Sequence, residues 1–523
     1  MLQRAQLLDR AFDPATNWDI LVIGGGATGV GIAVDAATRG YSVLLLEQHD
    51  FGKGTSSRST KLIHGGVRYL QQGNISLVME ALHERGLLRR NAPHLVHDLG
   101  FVVPNYAWWE TPFYGIGMKV YDLLAGKYGF GRSRILGRDE VLEHIPNLEQ
   151  QGLRGGVLYF DGQFDDARLL VALVRTAIDH GATTLNYCRV ERLLKDDDGY
   201  VCGVRACDVE TGRAAELHAR LVINATGALS DEVRRLDDPT TPRLIAPSQG
   251  VHLVLDGSFL KGNTAIMVPR TDDGRVMFAI PWHGHTLIGT TDTPVENVSL
   301  EPVPLEEEID FILDTAAGYL QRDPTRADVR SAFAGIRPLV RAEGVSETAA
   351  LSRDHTIHVS SSGLLSIAGG KWTTYRKMAE DCVDHAITLA RLPERECVTK
   401  SLPVHGAVAE VDRDDPLRVY GRDAETVRAL VRDEPELSRP LHGHLPVIEA
   451  QVVFAARFEM ARTVEDVLAR RTRALQLDAQ AAVDMAPRVA DLLARELHRD
   501  ESWQRRQVAD FTSLARGYLV RVP

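Results

Sequence analysis

Glycine-rich segments and a small set of basic side chains are the parts of this sequence whose residue types and spacing indicate chemistry. The first segment, Gly24-Gly25-Gly26-Ala27-Thr28-Gly29, fits the pattern G-x-G-x-x-G. In that pattern Gly24 permits a tight turn, Gly26 lets a pyrophosphate approach the backbone, and Gly29 lets the following helix pack closely on a sheet. The segment therefore predicts phosphate binding at the amides of a helix N-terminus.

The elements that must position this motif are present around it. Asp19 to Ile23 is typical of a buried strand, Ala27 to Arg39 of a helix that ends at Gly40, and Ser42 to Leu46 of a second strand. Glu47 follows the first glycine of the motif by 23 residues, where a carboxylate accepts hydrogen bonds from adenosine ribose hydroxyls. The arrangement predicts a dinucleotide site and leaves NAD and FAD open. No second such motif follows a predicted strand, so we expect one dinucleotide.

Composition and charge restrict the class of protein. The 523 residues are 44% apolar and 25% charged, the ordinary balance of a globular protein of two or three domains. The formal charge of -11 argues against nucleic acid as a partner, because a phosphate backbone would be repelled. No segment has the ~18 consecutive apolar residues that a membrane-spanning helix needs.

Neither the cysteines nor the acidic runs predict a disulfide framework or a metal site. The five cysteines form no C-x-x-C pair, and so few in so long a chain fit a reducing compartment. In Asp196-Asp197-Asp198-Gly199 the acids are adjacent rather than alternate, and no glutamate closes a calcium loop. We expect a hairpin turn there and no metal in the protein.

Four further segments carry a resemblance to a known family. They are Thr55 to Leu70, which combines hydroxyls, glycines and cations, then Asn224 to Gly227, Gly335 to Leu339, and Gly369 to Arg376. In order and spacing they resemble FAD-dependent glycerol-3-phosphate dehydrogenases, densely over residues 17 to 395 and loosely beyond. Two positions depart from the family's pattern: Arg58 stands where a small residue is expected, and Trp372 replaces an aliphatic one.

The resemblance implies an α/β fold in three parts: a Rossmann-like FAD-binding domain, a substrate domain with a mixed, mostly antiparallel β-sheet, and a helical C-terminal cap. We expect the FAD-binding domain at 17–95, 165–235 and 335–395, the substrate domain at 96–164 and 236–334, and the cap at 396–523. Substrate-domain strands are predicted at Gly250 to Leu255, Ala265 to Pro269, Val276 to Pro281 and Thr286 to Gly289. Helical periodicity predicts cap helices at Val452 to Arg462 and Ala481 to Leu497.

FAD is the cofactor that the resemblance implies, lying extended through the first domain. Carried over residue by residue, the expected FAD contacts are Gly24, Gly26, Gly29, Glu47, Thr55, Ser56, Ser57, Lys61, Leu62, His64, Gly65, Ala225, Thr226, Gly227, Gly370, Lys371 and Thr373.

The implied reaction is oxidation of sn-glycerol 3-phosphate to dihydroxyacetone phosphate, with hydride transfer to flavin N5. It needs fixed cations for the phosphate and one base for the hydroxyl proton. We assign catalysis to His252, Arg337 and Lys371, and substrate binding to Arg68, Tyr69 and Arg353. For single residues structural alternatives stay open: His252 as a core histidine, Arg337 in an ion pair, and Arg353 paired with Asp354 or Asp292.

The electrons must then leave the cofactor, and the resemblance favours a membrane quinone as acceptor. This implies a cytoplasmic protein in peripheral contact with the inner face of the cell membrane, and it is compatible with a homodimer. Asn105 to Gly137 interleaves aromatic and basic residues, which predicts either a membrane-contacting patch or a lid over the substrate. An oxidase that uses dioxygen, an FAD oxidase of amino or 2-hydroxy acids, and a flavin-binding sensor without turnover are the alternatives.

Overall fold

The computed structural model describes residues 4–66, 74–271, 274–341 and 354–522. Its strands are β1 (Asn17–Ile23), β2 (Val43–Leu46), β3 (Leu62–Ile63), β4 (Val96–Asn105), β5 (Arg134–Gly137), β6 (Gly155–Phe164), β7 (Thr183–Leu185), β8 (Cys188–Lys195), β9 (Val201–Asp208), β10 (Ala214–Asn224), β11 (Ile245–Asp256), β12 (Thr264–Val268), β13 (Met277–Trp282), β14 (His285–Gly289), β15 (Thr293–Pro294), β16 (Val329–Val340), β17 (His355–Val359), β18 (Leu365–Gly369), β19 (Pro440–His442) and β20 (Leu445–Ile448). Its α-helices are α1 (Arg4–Ala11), α2 (Ala27–Thr38), α3 (Ile75–Asn91), α4 (Glu110–Ala125), α5 (Arg138–His144), α6 (Asp166–Asp179), α7 (Ser230–Asp237), α8 (Glu306–Ala317), α9 (Tyr375–Leu389), α10 (Ala424–Asp433), α11 (Glu449–Phe458), α12 (Ala474–Leu477), α13 (Ala479–Leu497) and α14 (Glu501–Ala515).

The first sheet carries the glycine-rich motif. Strands β18, β10, β1, β2 and β7 run parallel in that order, and β17 and β9 pair antiparallel with β18 and β10. Parallel strands are covered on both faces, which explains the uninterrupted apolar runs of β1 and β2. Helices α2, α6 and α9 pack on one face, and α1 on the other. The predicted strand, helix and strand around the motif are confirmed, as is the hairpin turn at Asp196 to Gly199.

The second sheet runs in the order β15, β11, β14, β13, β12, β4, β6, β3, with β16 also paired to β11 and β5 to β6. All its pairs are antiparallel except β12 with β4, so the mixed, mostly antiparallel sheet is confirmed. Strands β11 and β16 pair along nearly their whole length. Residues 335–340, which we expected in the first domain, therefore belong to this sheet, and so do residues 62–63 of β3. The sheet to which these residues belong is decided by strand pairing between distant segments, which the periodicity of the sequence does not reveal.

The C-terminal region is helical from α10 to α14, apart from the short β19–β20 hairpin, as the sequence predicted. A π-helical turn, Asp466–Arg471, ties it to the first domain. Arg470 and Arg471 both reach the buried carboxylate of Asp50, each with one contact of 2.5 Å. Against the effect of burial, Arg471 and Arg470 lower the pKa of Asp50 to about 2. The cap is thus joined to the loop after β2 by buried ion pairs.

Candidate active site

A cavity of about 760 Å³ lies between the two sheets, at the carboxyl ends of β1, β2 and β10. Ligands of doubly wound α/β sheets bind at this edge. Most of the predicted site residues line the cavity, namely Gly24, Gly26, Glu47, Thr55, Ser56, Leu62, His64, Ala225, Thr226, Gly227, His252, Arg337, Gly370, Lys371 and Thr373. The predicted residues Arg68, Tyr69 and Arg353 lie outside the described residues.

The glycine-rich turn leaves no space for side chains. Gly24 has a φ of +112°, and a Cβ there would lie 2.7 Å from the carbonyl oxygen of Ala225. A Cβ on Gly29 would lie 2.0 Å from the carbonyl oxygen of Gly24, so this glycine lets α2 pack against the turn without lining the cavity. Helix α2 begins at Ala27 and directs its first amides toward the turn. This close-packed turn at a helix N-terminus fits the pyrophosphate of FAD.

Glu47 stands at the end of β2, where a ribose-binding carboxylate is expected. Its two oxygens accept hydrogen bonds from the amides of Gly25 and His49, at 2.7 and 2.8 Å. Burial raises the pKa of this carboxyl, and the two amides act in the opposite direction. The carboxylate is therefore held in one orientation, with lone pairs left for ribose hydroxyls.

The segment from Thr55 to Leu62, here called the flavin loop, crosses from the first sheet to the second. Ser56 Oγ accepts a hydrogen bond from the amide of Ala27 at 2.9 Å, which caps α2. Thr55 Oγ1 donates to the carbonyl of Ile336 at 2.5 Å, and Trp372 Nε1 donates to the carbonyl of Ser56 at 2.8 Å. Trp372, one of the two departures from the family's pattern, therefore holds the loop in place.

Arg58, the second departure, also has a structural explanation. Its guanidinium is buried and forms an ion pair with Glu301 at 2.7 Å. The Tyr518 hydroxyl donates to the same carboxylate at 3.2 Å. Arg58 therefore connects the flavin loop with the end of the cap.

A rung of two glycines separates the predicted catalytic side chains on β11 and β16. Gly250 pairs with Gly335. Two pairs further along the ladder His252 lies opposite Phe333, and two pairs in the other direction Ser248 lies opposite Arg337. Paired residues two apart along antiparallel strands share one face of a sheet, so this face has a gap between His252 and Arg337. The Arg337 guanidinium folds over it, since a Cβ on Gly250 would lie 2.4 Å from Nη2.

Arg337 is held at this gap by neutral and acidic oxygens. Nη1 lies 3.2 Å from Asp292 Oδ1 and donates to the carbonyl of Gln249 at 3.3 Å. Nη2 donates to Thr291 O at 2.9 Å and to Thr290 Oγ1 at 3.2 Å. Arg337 therefore does form an ion pair, with Asp292. Its side chain also lines the cavity and is one-fifth exposed.

His252 is a buried, neutral imidazole. Its ring stacks on Phe333 with centroids 5.1 Å apart, and Nε2 lies 2.8 Å from Thr60 Oγ1. Among the described residues Nδ1 has no hydrogen-bond partner. Burial, and then the charges of Lys61 and Arg337, keep the pKa of His252 well below its usual range. A core histidine and a base are both compatible with this geometry, but the ring borders the same cavity as Arg337 and Lys371.

Lys61 does not line the cavity, in contrast to the expected cofactor contact. Its Nζ lies 2.8 Å from Asp166 Oδ2 and beneath the rings of Trp282 and Phe333, at 5.3 and 4.9 Å from their centroids. Burial lowers the pKa of Lys61 to about 7 although Asp166 opposes this effect. The lysine is therefore one layer behind His252, and it acts on that imidazole through its charge.

Two other predicted cofactor contacts also lie behind the cavity wall. The Ser57 carbonyl accepts from Lys61 Nζ at 2.9 Å and from Arg473 Nη2 at 3.0 Å. The amide of Gly65 donates to the Tyr121 hydroxyl at 2.7 Å. A motif gives the order of residues along a loop, but loop curvature decides which of them face the ligand.

Sequence reasoning missed the residues that support the flavin loop from behind. Asp166, at the start of α6, accepts from Ser59 Oγ at 2.7 Å and pairs with Arg473 of the cap at 2.8 Å. Thr60 is the hydrogen-bond partner of His252. Of these residues only Thr60 could have been identified from the sequence, because it lies within the flavin-contacting segment. Asp166 and Arg473 come from distant parts of the chain.

Lys371, Gly370 and Thr373 also line the cavity. Gly370 has a φ of +75°, and a Cβ there would lie 2.3 Å from Met378 Sδ. A short helical turn, Trp372–Thr374, then leads into α9. Thr373 Oγ1 accepts from the amide of His64 at 3.3 Å, which joins this turn to the chain just after the flavin loop.

Comparisons with known proteins agree with this geometry. Residues 19–376 match the family model of FAD-dependent oxidoreductases, and residues 365–504 match the C-terminal domain of alpha-glycerophosphate oxidase. A mitochondrial glycerol-3-phosphate dehydrogenase of Mesocricetus auratus is 42% identical, over 95% of this chain and 73% of its own. The chain belongs to the family of FAD-dependent glycerol-3-phosphate dehydrogenases.

Other members of this dehydrogenase family extend the comparison. The mitochondrial enzyme of Arabidopsis thaliana is 41% identical over 97% of this chain and 86% of its own. The crystal structure of the glycerol-3-phosphate dehydrogenase of Bacillus halodurans, complexed with FAD, has a TM-score of 0.80 and 30% identity, and covers 99% of both chains. FAD as cofactor and the three-part fold are therefore as the sequence indicated.

Replacing Gly24 by alanine should lower the FAD content of the purified protein. The new Cβ would meet the Ala225 carbonyl in a backbone conformation that costs an L-residue about 1–3 kcal/mol, so we expect FAD affinity to fall at least about tenfold. The ratio of flavin to protein absorbance measures this. Gly54→Ala is the control, because Gly54 lines the same cavity with nothing within 4 Å of a Cβ. Equal flavin content in both variants would contradict the proposed cradle.

Proposed function

We propose that this dehydrogenase oxidises sn-glycerol 3-phosphate to dihydroxyacetone phosphate. The observation that carries the proposal is one cavity that combines a dinucleotide cradle with an imidazole and two cations, His252, Arg337 and Lys371. Relatives at 41–42% identity along nearly the whole chain bear the name of this activity. A flavin-binding sensor would have no need for this set of side chains.

The phosphate of the substrate needs a positive site protected from bulk water. Arg337 lies over the glycine rung, close to His252, and it cannot lose its proton at any physiological pH. Lys371 adds a second cation that lines the same cavity. A dianion held by these groups would place the rest of a three-carbon substrate within the gap that Gly250 and Gly335 leave free.

The hydroxyl proton of the substrate needs an acceptor, and His252 Nδ1 is our candidate. With its proton on Nε2 donated to Thr60 Oγ1, the neutral ring offers Nδ1 as acceptor. Phosphate binding brings negative charge near Arg337, which offsets one of the charges that depress the pKa of His252. When bound, FAD supplies the acceptor for the hydride from the same carbon.

A membrane quinone is our proposed electron acceptor, and the exposed face of α4 supports contact with a bilayer. Phe113, Ile116, Val120 and Leu123 recur at helical spacing, and they are 54%, 68%, 40% and 81% exposed. Helices expose contiguous apolar stripes when a partner or a membrane covers them. Exposed basic residues flank the stripe, namely Lys119, Lys127, Arg132 and Arg134.

The lid alternative for residues 105–137 has less support. None of these residues is among the described residues that line the cavity. Within the described residues, no helix is both long and apolar enough to cross a bilayer. From the exposed stripe on α4 we propose peripheral attachment at the inner face of the cell membrane.

Anaerobic mixing with sn-glycerol 3-phosphate should bleach the flavin absorbance, whereas plain glycerol should not. Glycerol lacks the phosphate that Arg337 is proposed to bind. For the same reason, loss of this cation in Arg337→Gln should lower kcat/KM for sn-glycerol 3-phosphate by at least about 100-fold. Stopped-flow absorbance at the flavin band gives both results. Bleaching by amino or 2-hydroxy acids instead would overturn the substrate assignment.

The variant Lys61→Met should move the acid side of the pH profile to higher pH. Below pH 7 the charged lysine lowers the pKa of His252, so its removal lets the imidazole take up a proton at higher pH, by about 1 pH unit. Flavin reduction rates measured from pH 5 to 8 test this. Lys53→Met is the control: this lysine is also in a loop at the cavity, but it pairs with Glu465 at 2.7 Å. An unmoved profile in Lys61→Met would exclude His252 as the titrating base.

Removing two apolar side chains from α4 should weaken binding to lipid vesicles. Ile116→Ser with Leu123→Ser removes enough exposed apolar area to lower the partition coefficient at least about tenfold. Co-sedimentation with phosphatidylglycerol vesicles measures it, while turnover with a soluble acceptor stays unchanged. Val209→Ser with Val303→Ser, two residues 51% and 57% exposed elsewhere, is the control. Equal binding of both variants would reject this face.

A further inference from the structure

A second large cavity is separate from the active site. Its volume is about 1450 Å³, and it shares no lining residue with the first cavity. His97 of β4, His283 of the β13–β14 turn and the cap segment 403–422 border it. We call it the cap groove.

The charge of the cap groove is opposite to that of the protein. The chain carries a formal charge of -11, yet seven arginines and lysines line the groove against three aspartates. Two of those aspartates are already paired, Asp98 with Arg89 at 2.8 Å and Asp165 with Arg473 at 3.5 Å. The lining of the groove therefore carries more positive than negative side chains.

Three of these cations come from one short cap segment. Arg413, Arg418 and Arg422 form neither an ion pair nor a side-chain hydrogen bond with the part of the chain that the structure describes. Single solvated arginines are common, but several on one concave wall focus the potential and attract anions. Guanidinium groups are also the side chains best suited to phosphate oxygens.

One imidazole, that of His97, lines the groove together with the cations. The side-chain amide of Gln163 donates through Nε2 to the carbonyl of Pro281 at 2.7 Å, which leaves its Oε1 facing His97. His97 Nε2 therefore donates to Gln163 Oε1 at 3.0 Å. Burial, and then Arg413, lower the pKa of His97 to about 4, with smaller effects of Arg418 and His283. His97, Arg413, Arg418 and His283 all line this one groove, where a single ligand can meet several of them.

We propose that the cap groove binds a small polyanion that carries phosphate groups. The ligand chemistry follows from unpaired guanidinium groups around a neutral imidazole, in a groove about twice the volume of the cofactor cavity. Such a polyanion is either a free phosphate compound or the headgroup of an anionic lipid. The second source is close at hand, since Lys127 and Phe130 of the groove follow directly after α4.

The groove also shares a wall with the layer behind the base. Trp282 lines the groove, and its ring lies 5.3 Å from Lys61 Nζ and 5.5 Å from the Arg473 guanidinium. Asp165 lines the groove as well, and the next residue, Asp166, binds Lys61. A bound polyanion would therefore lie near the charges that set the basicity of His252, although its binding does not depend on the proposed substrate.

Titration of the holoenzyme with inorganic pyrophosphate tests the proposal in its soluble arm. We expect calorimetric binding that weakens at least about tenfold in the double variant Arg413→Gln with Arg418→Gln. The matched control is Arg432→Gln with Arg439→Gln, which removes the same charge from exposed cap arginines outside the groove. Arg337→Gln should keep this binding, because Arg337 belongs to the other cavity.

Vesicles of phosphatidylglycerol supply the lipid arm, with phosphatidylcholine vesicles as reference. If pyrophosphate does not bind but the groove variant loses vesicle binding and its control does not, the polyanion is a lipid headgroup. If both double variants weaken anion binding equally, the effect comes from the overall charge of the protein, and the proposal is overturned. A loss seen only in Arg337→Gln, or no binding in either arm, would also overturn it. The melting temperature of each variant is measured first, to establish that it is folded.

Discussion

Buried charges behind the flavin loop support both halves of the active site. The carboxylate of Asp166 receives Lys61 from the loop and Arg473 from the cap, each at 2.8 Å. Taking one partner away from such a buried group typically costs about 3–5 kcal/mol, because the remaining charge is left uncompensated. The loop held in this way caps α2 through Ser56 and bonds His252 through Thr60. The cofactor cradle and His252 are therefore positioned by one segment, and the cap stabilises that segment from outside both sheets.

Glycines define where ligands can enter. At the turn after β1 they bring backbone atoms so close that no side chain fits, which leaves the amides of α2 accessible to a pyrophosphate. On β11 and β16 the opposed pair Gly250 and Gly335 opens a gap in a sheet face that is otherwise filled. Arg337 occupies part of this gap, so the same absence of side chains leaves an open space with a cation beside it.

Local electrostatics differ from the overall charge of the molecule. The protein is acidic, yet arginines line both cavities. In each cavity a neutral histidine lies near cations, and its pKa is lowered. Burial and neighbouring positive charge favour the uncharged imidazole. An anionic ligand would partly reverse this effect, so ligand binding and proton uptake are expected to be linked at both sites.

The sequence by itself determined the dinucleotide cradle, the FAD-binding fold, the helical cap and the family. Turn geometry at Gly24, the helix after it and the carboxylate of Glu47 follow from residues within one βαβ unit, so local pattern is enough. His252 and Arg337 were found through their neighbours in the chain, but the glycine rung between them appears only when β11 pairs with β16. Lys61 was assigned to the cofactor, whereas the structure turns it away onto Asp166. Arg473 and the cap groove depend on contacts between segments hundreds of residues apart. Such contacts are decided by packing and pairing of whole elements, which no short stretch of sequence records.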